Sequence, residues 1–369
     1  RMTPSIIDAC RDPALFGSWF KDPATWEAWF AFLKALFGLL LTPAELALYQ
    51  QCTGRAAPPP RWFQEAWLIV GRRGGKSFIV ALVAVYLACF RDYSQHLARG
   101  ERGTVMINAC DRKQARVIFR YVRALLEGVP MLARLIERVD SESVDLSNRI
   151  SIEIHTASFR AVRGYTIVAA INDEIAFWRS DESANPDREI LDAQRPAMAT
   201  IPGALLLCIG SAYAQRGVLW EAYRDHHGRD GSPVLVWQAD TRAMNPTVPQ
   251  RFIDDAYARD PVSAAAEYGA QFRTDVGAFL SNDWLDRTVD EGVFERPPVP
   301  YVAYCAFADP SGGGADAFTL AIAHHEDRHG RGLCHTLGHA AKQPSLLLPR
   351  AERRDDEQSS AQAARERHE

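Results

Sequence analysis

The chain has 369 residues, 47% of them apolar, with a formal net charge of −4. That length and apolar share allow a large buried core and exceed one typical domain. The charge excludes a globally basic nucleic-acid binder, although a local basic lining needs no global basicity.

Residues 1–60 have helical character of their own. Trp19, Phe20, Trp26, Trp29, Phe30, Leu33, Leu36 and Phe37 recur at helix-like intervals, and Pro58-Pro-Pro60 marks a linker. This aromatic stripe is expected to pack against the domain that follows, in preference to a cofactor or a membrane surface. Its longest apolar stretch, Ala35–Leu41, is too short to span a bilayer, and no signal-peptide pattern opens the chain.

The most informative stretch follows: the apolar strand Trp67–Val70, then Gly71-Arg72-Arg73-Gly74-Gly75-Lys76-Ser77, then the apolar run Phe78–Cys89 of a buried helix. Strand, glycine-rich turn and helix form a phosphate cradle. Backbone N–H groups face an anion, a Lys reaches the β- and γ-phosphates, and a Ser hydroxyl holds Mg²⁺. The ligand this implies is a nucleoside triphosphate. The usual G-x-x-x-x-G-K-[ST] spacing puts its first glycine at position 70, which is Val70 here, so Gly71 stands one residue late.

Further along, Thr104–Ala109 reads as a strand and Arg112–Glu127 as an amphipathic helix, while Ser151–Thr156 alternates as a half-exposed or edge strand does. Thr166–Asn172 is a buried strand that ends in Asp173-Glu174. Asp173 at its carboxyl end is placed for the Mg²⁺ shell and Glu174 to orient an attacking water. Ala204–Ile209 is another buried strand and ends in Gly210-Ser211-Ala212-Tyr213; Val234–Trp237 is the next. This alternation predicts an α/β fold with a mostly parallel sheet flanked by helices. Tyr301–Ala308 and Ala317–Ala323 read as two more strands, with Asp309 after the first and a glycine-rich turn over Pro310–Asp316.

These motifs resemble the large subunit of tailed-phage terminases, the motor that packages viral DNA. The resemblance covers about residues 15 to 325. It is carried by Thr42-Pro-Ala-Glu-Leu-Ala-Leu-Tyr49, the arginine-bearing loop Gly71–Ser77, Asn172-Asp-Glu-Ile-Ala-Phe-Trp178, Gly210-Ser-Ala-Tyr213 and Phe307-Ala-Asp-Pro-Ser-Gly312. It implies an additional-strand, RecA-like P-loop ATPase, then the start of an RNase H-like α/β nuclease. Gly71, Arg73, Gly74, Gly75, Lys76 and Ser77 would bind ATP, Ser77 and Asp173 would hold Mg²⁺, and Glu174 would be the catalytic carboxylate. Gly210-Ser211 would couple hydrolysis to movement. Arg72 matches the loop arginine that senses or stabilises the γ-phosphate, where positive charge offsets charge developing in phosphoryl transfer; Arg73 is the alternative, and surface ion pairs would equally use both. Asp309 matches the first metal carboxylate of the nuclease.

The expected organisation is a helical segment over 1–60, the ATPase over 61–285, an incomplete nuclease over 286–332 and a disordered or aberrant tail over 333–369. From Asp309 onward there are 61 residues, against roughly 100 to 150 for an independent domain. The final 19 residues, Ala351–Glu369, carry 10 charged side chains. Two-metal cleavage needs several converging carboxylates, so no nuclease activity is expected of this polypeptide alone, and a frameshifted or prematurely ended reading frame is one origin.

The resemblance also implies double-stranded DNA, a portal protein, a small terminase subunit and a homo-oligomeric ring as partners, in the host cytoplasm and without a membrane. For DNA, Arg112, Lys113, Arg116, Arg120 and Arg123 lie three or four apart on one helix face, a spacing that suits phosphates or simple solvation. The cysteines at 10, 52, 89, 110, 208, 305 and 334 form no C-x-x-C pair and read as reduced, buried thiols of a cytosolic protein. The histidines show no metal signature; His226-His227 and His324-His325 read as solvated ends of elements. Besides the packaging motor, the alternatives are a non-catalytic prophage remnant and an unrelated P-loop kinase or helicase.

Overall fold

The structure, a computed structural model, describes residues 3–59, 61–156, 164–178, 186–274, 297–309, 318–328 and 331–341. The chain divides into two compact units, Arg1–Ser281 and Asn282–Glu369.

Eight strands build one sheet in the first unit: β1 (Glu65–Val70), β2 (Gly103–Ala109), β3 (Ile136–Val139), β4 (Ser143–Leu146), β5 (Ile150–Thr156), β6 (Thr166–Asn172), β7 (Leu205–Gly210) and β8 (Val234–Ala239). Their order across the sheet is β3-β4-β5-β2-β6-β7-β1-β8. Every pair from β5 to β8 is parallel, whereas β3 and β4 form an antiparallel margin. The parallel strands are near-continuous apolar runs, as strands covered by helices on both faces must be. Ser151–Thr156, expected half-exposed or at an edge, lies inside the sheet between β4 and β2. Its apparent edge pattern arises at its carboxyl end, where His155 and Thr156 emerge from the core, and the β3–β4 hairpin supplies the true edge.

The helices are α1 (Ile6–Arg11), α2 (Glu27–Leu36), α3 (Pro43–Thr53), α4 (Lys76–Phe90), α5 (Arg112–Gly128), α6 (Pro130–Ala133), α7 (Pro186–Met198), α8 (Gly217–His226), α9 (Thr241–Met244), α10 (Gln250–Arg259) and α11 (Pro261–Glu267). α4 is apolar all round because it is buried all round, with Ile79 through Val85 without exposed surface. α5 buries Ala115, Ile118, Phe119, Val122, Leu125 and Leu126 and keeps its charges outside; Asp111 caps it by accepting from the Gln114 N–H at 2.9 Å. α3 opens on a capping box of Thr42 and Glu45 with Pro43 at its first position, and ends on Gly54 in the left-handed region.

The amino-terminal aromatics pack into the same core as the sheet. Phe32 meets Trp237 of β8 edge-on at 5.5 Å, and Phe37 meets Tyr86 of α4 at 5.4 Å. Cys10, Cys52 and Cys208 are buried thiols, raised by that burial, whereas Cys305 is exposed. His226 ends α8, and His227 is half-buried against the Tyr223 ring rather than solvated. Among the described residues no helix is long and apolar enough to cross a membrane, and no group of His, Cys, Asp and Glu forms a metal-binding cluster.

The second unit contains β9 (Tyr304–Asp309), β10 (Phe318–Arg328) and β11 (Arg331–Ala341) in an antiparallel sheet ordered β11-β10-β9. β10 is longer than the strand expected over Ala317–Ala323. Leu333–His339, expected on sequence to belong to a disordered or aberrant tail, lies within β11 opposite Leu320–Glu326 of β10. Its small residues and histidines conceal a strand that pairing defines. Asp309 is the last residue of β9, opposite Thr319. The Pro310–Asp316 turn, Pro60 of the linker and the charged tail lie outside the described residues.

Candidate functional site

Three neighbouring strands, β6, β7 and β1, end side by side, and each delivers part of one cleft. β1 hands over to the loop Gly71–Gly75 and then to Lys76 at the start of α4; β7 ends in Gly210-Ser211; β6 ends in Asn172, followed by Asp173-Glu174. The pairs Ile69↔Gly210 and Asn172↔Cys208 set these ends level. A cleft of about 400 Å³ at this edge is lined by Arg72, Ser77, Gln114, Val117, Asp173, Glu174, Phe177 and Glu267. Ligands of open parallel sheets bind at such carboxyl ends. A larger cavity of about 580 Å³ lies at the opposite ends of β1, β7 and β8 and contains none of these groups.

Lys76 is 7% exposed, and its ammonium donates to the Val70 carbonyl at 2.6 Å and to Ser211 Oγ at 3.0 Å. Glu174 Oε1 lies 3.6 Å from the same nitrogen, and Glu174 Oε2 accepts from the Ser211 N–H at 3.1 Å. Lys76, Glu174 and Ser211 therefore form one linked group drawn from three strand ends. Asp173 is 7% exposed. Burial first, then the neighbouring Glu174 carboxylate, push its carboxyl up to about 7; the Lys76 charge and a backbone hydrogen bond oppose that rise.

The loop is held by side chains distant in sequence. Thr241 Oγ1 donates to the Arg72 carbonyl at 2.8 Å, Asn245 Nδ2 to that of Arg73 at 2.8 Å, and Trp29 Nε1 to that of Gly74 at 2.9 Å. With these carbonyls engaged outward, the first N–H groups of α4, which have no intrahelical acceptor, open the helix as an anion site. Gly75 turns the chain into α4 at φ 98, and Arg73 and Glu174 hold left-handed conformations at φ 65 and 49. Non-glycine residues persist there where their surroundings over-determine them. Position 71 requires a glycine because a Cβ there would collide with Thr241 Oγ1 and the Tyr268 carbonyl.

Arg72 pairs with Glu267 of α11, Nε to Oε2 at 2.9 Å, and lines the cleft with much of its side chain in solvent. Its own N–H donates to the Glu267 carbonyl at 2.6 Å. Arg73 does not line the cleft. Beneath Asp173, Asn108 donates to Asn172 at 3.1 Å, and Asn172 and Gln194 of α7 exchange amide hydrogen bonds at 2.8 and 2.9 Å. This buried network fixes the end of β6. The Asp173 carbonyl accepts from Trp178 Nε1 at 2.9 Å, and its N–H donates to the Asn108 carbonyl at 2.7 Å.

Of the residues singled out on sequence, the structure brings Arg72, Lys76, Ser77, Asp173, Glu174 and Ser211 together; Trp29, Thr241, Asn245, Glu267, Asn108 and Gln194, which support them, were not singled out as site residues. The signal available was that Asn108 and Asn172 are polar residues near the carboxyl ends of buried apolar strands. The five basic residues of α5 are all exposed; Arg112 and Arg116 lie 3.6 and 3.8 Å from Glu142, and Arg123 pairs with Glu127 at 2.6 Å. None of them lines the cleft, to which α5 contributes Gln114 and Val117.

Residues 49–270 match the family described as the N-terminal P-loop domain of the uncharacterized protein MJ0330. The chain belongs to this P-loop family. The P-loop fold is also that of the HK97 bacteriophage large terminase, at TM-score 0.52 and 18% identity over 81% of this chain and 63% of that one. This chain thus spans less than two thirds of that protein's length. Two further structures are similar to the P-loop chain at TM-score 0.45: the large terminase ATPase domain of Thermus phage P74-26 (18% identity, 65% of this chain and 97% of that one) and the large terminase of a thermophilic bacteriophage in complex with ADP (12%, 76% and 63%). No curated protein matches the sequence.

Proposed function

We propose that this chain is the ATP-hydrolysing motor subunit of a viral DNA-packaging terminase. The observation that carries the reading is the convergence of Lys76, Ser211 and Glu174 at the ends of β1, β7 and β6, beside the buried Asp173. The P-loop family and the terminase fold support it.

In this mechanism the β- and γ-phosphates of ATP lie on the N–H groups that open α4, and the Lys76 ammonium neutralises them. Ser77 and Asp173 are the residues that would hold Mg²⁺. Their donor set fits: two oxygens border one cleft, and the Asp173 carboxyl keeps its proton to about pH 7 for want of a positive partner strong enough to offset burial. Bound Mg²⁺ supplies positive charge to the phosphate oxygens. Glu174 orients the attacking water, for which its fixed left-handed backbone and its bond from the Ser211 N–H pre-set the carboxylate. Arg72, freed from Glu267, adds charge at the γ-phosphate. Ser211 touches both Lys76 and Glu174, so a change in either reaches β7, a route for coupling hydrolysis to movement. Double-stranded DNA, a portal protein, a small terminase subunit and further copies in a ring are the partners of this reading, in the cytoplasm of a bacterial host.

The test is ATP hydrolysis by the purified chain, with and without DNA, against Lys76→Ala and Glu174→Gln. Both variants are expected to lose at least about a hundredfold in kcat. Wild-type turnover that survives in both variants, or no wild-type turnover even with DNA and a small subunit, overturns the assignment.

A further inference from the structure

We infer that Gln114 is a further catalytic residue of the cleft, its side-chain amide donating to the γ-phosphoryl group as that group is transferred. The inference rests on the reading that the cleft hydrolyses a nucleoside triphosphate. β2 is the fourth strand to end at this site. It pairs with β6 as far as Asn108↔Asn172, and the Asp173 N–H continues the ladder by donating to the Asn108 carbonyl at 2.7 Å. The chain then passes through Cys110 and Asp111 into α5. Asp111 caps that helix by accepting the Gln114 N–H at 2.9 Å, which fixes the backbone at Gln114. From there the Gln114 side chain lines the cleft with Arg72, Ser77, Asp173 and Glu174.

One end of its amide is engaged and the other is open. Cys110 Sγ donates to Gln114 Oε1 at 2.9 Å, the Asp111 carboxylate lying farther off at 3.7 Å. Burial first, then the Asp111 and Asp173 charges, hold the Cys110 thiol above its ordinary value, so it keeps the proton it donates. A donating thiol selects the amide oxygen and leaves the NH₂ group turned elsewhere, with two N–H bonds to give. Gln114 Nε2 has no hydrogen-bond partner among the described residues. The rest of the lining decides what those bonds are for. Asp173, Glu174 and Glu267 bring three carboxyl groups to the cleft, and its one lining cation, Arg72, is held by Glu267 at 2.9 Å. Ser77 is committed to Mg²⁺ in the proposed mechanism. Of the donors that line the cleft, Gln114 Nε2 is then the one left for a phosphoryl oxygen. Being neutral, it neither takes a proton from the attacking water nor competes with the carboxylates for the metal. A fixed donor aimed where negative charge builds acts chiefly on the transition state.

Steady-state ATP hydrolysis by the full chain with Mg²⁺ and DNA compares wild type with Gln114→Ala, Cys110→Ala and Cys110→Ser, alongside calorimetric binding of ADP. Gln114→Ala is expected to lower kcat by about a hundredfold, the scale of one lost transition-state donor. KM for ATP and the affinity for ADP should stay at the wild-type level, as they do when an interaction is made only in the transition state. Cys110→Ala should lower kcat with the same split, and Cys110→Ser should recover most of the loss, since a hydroxyl donates in the thiol's place. Gln114 is exposed and alanine keeps the backbone N–H that Asp111 caps, so folding is preserved. If Gln114→Ala leaves kcat unchanged, or lowers ADP affinity as much as kcat, Gln114 takes no part in the transfer, and the roles of Lys76 and Glu174 stand. If Cys110→Ser recovers nothing over Cys110→Ala, the thiol does not orient the amide. A wild-type chain without turnover overturns the hydrolysis reading and this inference with it.

Discussion

Asp173→Asn removes an ionisable group while keeping the side chain's shape, and it tests the electrostatics of the cleft directly. In the folded protein, burial and the adjacent Glu174 push the Asp173 carboxyl from 3.8 up to about 7. Once unfolded, the same carboxyl ionises near 3.8. Between those values only the unfolded chain gives up its proton, so rising pH favours unfolding across the window and the effect levels off above about 7. About three pKa units at 1.36 kcal/mol each give about 4 kcal/mol over the whole window, of which roughly 2–3 kcal/mol fall between about pH 5 and pH 8. The Asn variant has no proton to lose at this position. Urea unfolding in chelator, followed by tryptophan fluorescence in pH steps, reads the difference between the two proteins. The variant should gain on wild type by roughly 2–3 kcal/mol from about pH 5 to pH 8. A difference that stays flat across that range refutes a buried carboxyl that holds its proton.

Gly71→Ala forces a Cβ against Thr241 Oγ1 and the Tyr268 carbonyl; thermal unfolding should show a loss of about 1–3 kcal/mol, and an unchanged Tm would refute the packing reason for a glycine at position 71. Arg116→Ala with Arg120→Ala should reduce DNA-stimulated ATP hydrolysis and lower the salt slope of DNA binding by about 2. Stability should stay unchanged, since the Arg116–Glu142 contact is exposed; an unaltered salt slope would remove α5 from the DNA contacts.

The legible part of this molecule was written in local pattern. Trp67–Val70 with Gly71–Ser77, and Thr166–Asn172 with Asp173-Glu174, each join an apolar run to a chemical group at its end, and such pairings survive without tertiary information. The seat of the loop was not legible, because Trp29, Thr241 and Asn245 act on its carbonyls from the far ends of the domain. Ser151–Thr156 misled because alternation reports exposure of one face and says nothing of which neighbours a strand acquires.

By itself, then, the sequence determined the alternation of strands and helices, the phosphate loop and the acidic strand end, since each depends on residues close together in the chain. Tertiary structure alone decided that β7 lies between β1 and β6. That order makes Ser211 the link between Lys76 and Glu174, and it buries Asp173 deeply enough to hold its proton near neutrality. Strand order, burial and the field at a carboxyl are properties of the packed sheet, set by groups more than thirty residues apart along the chain.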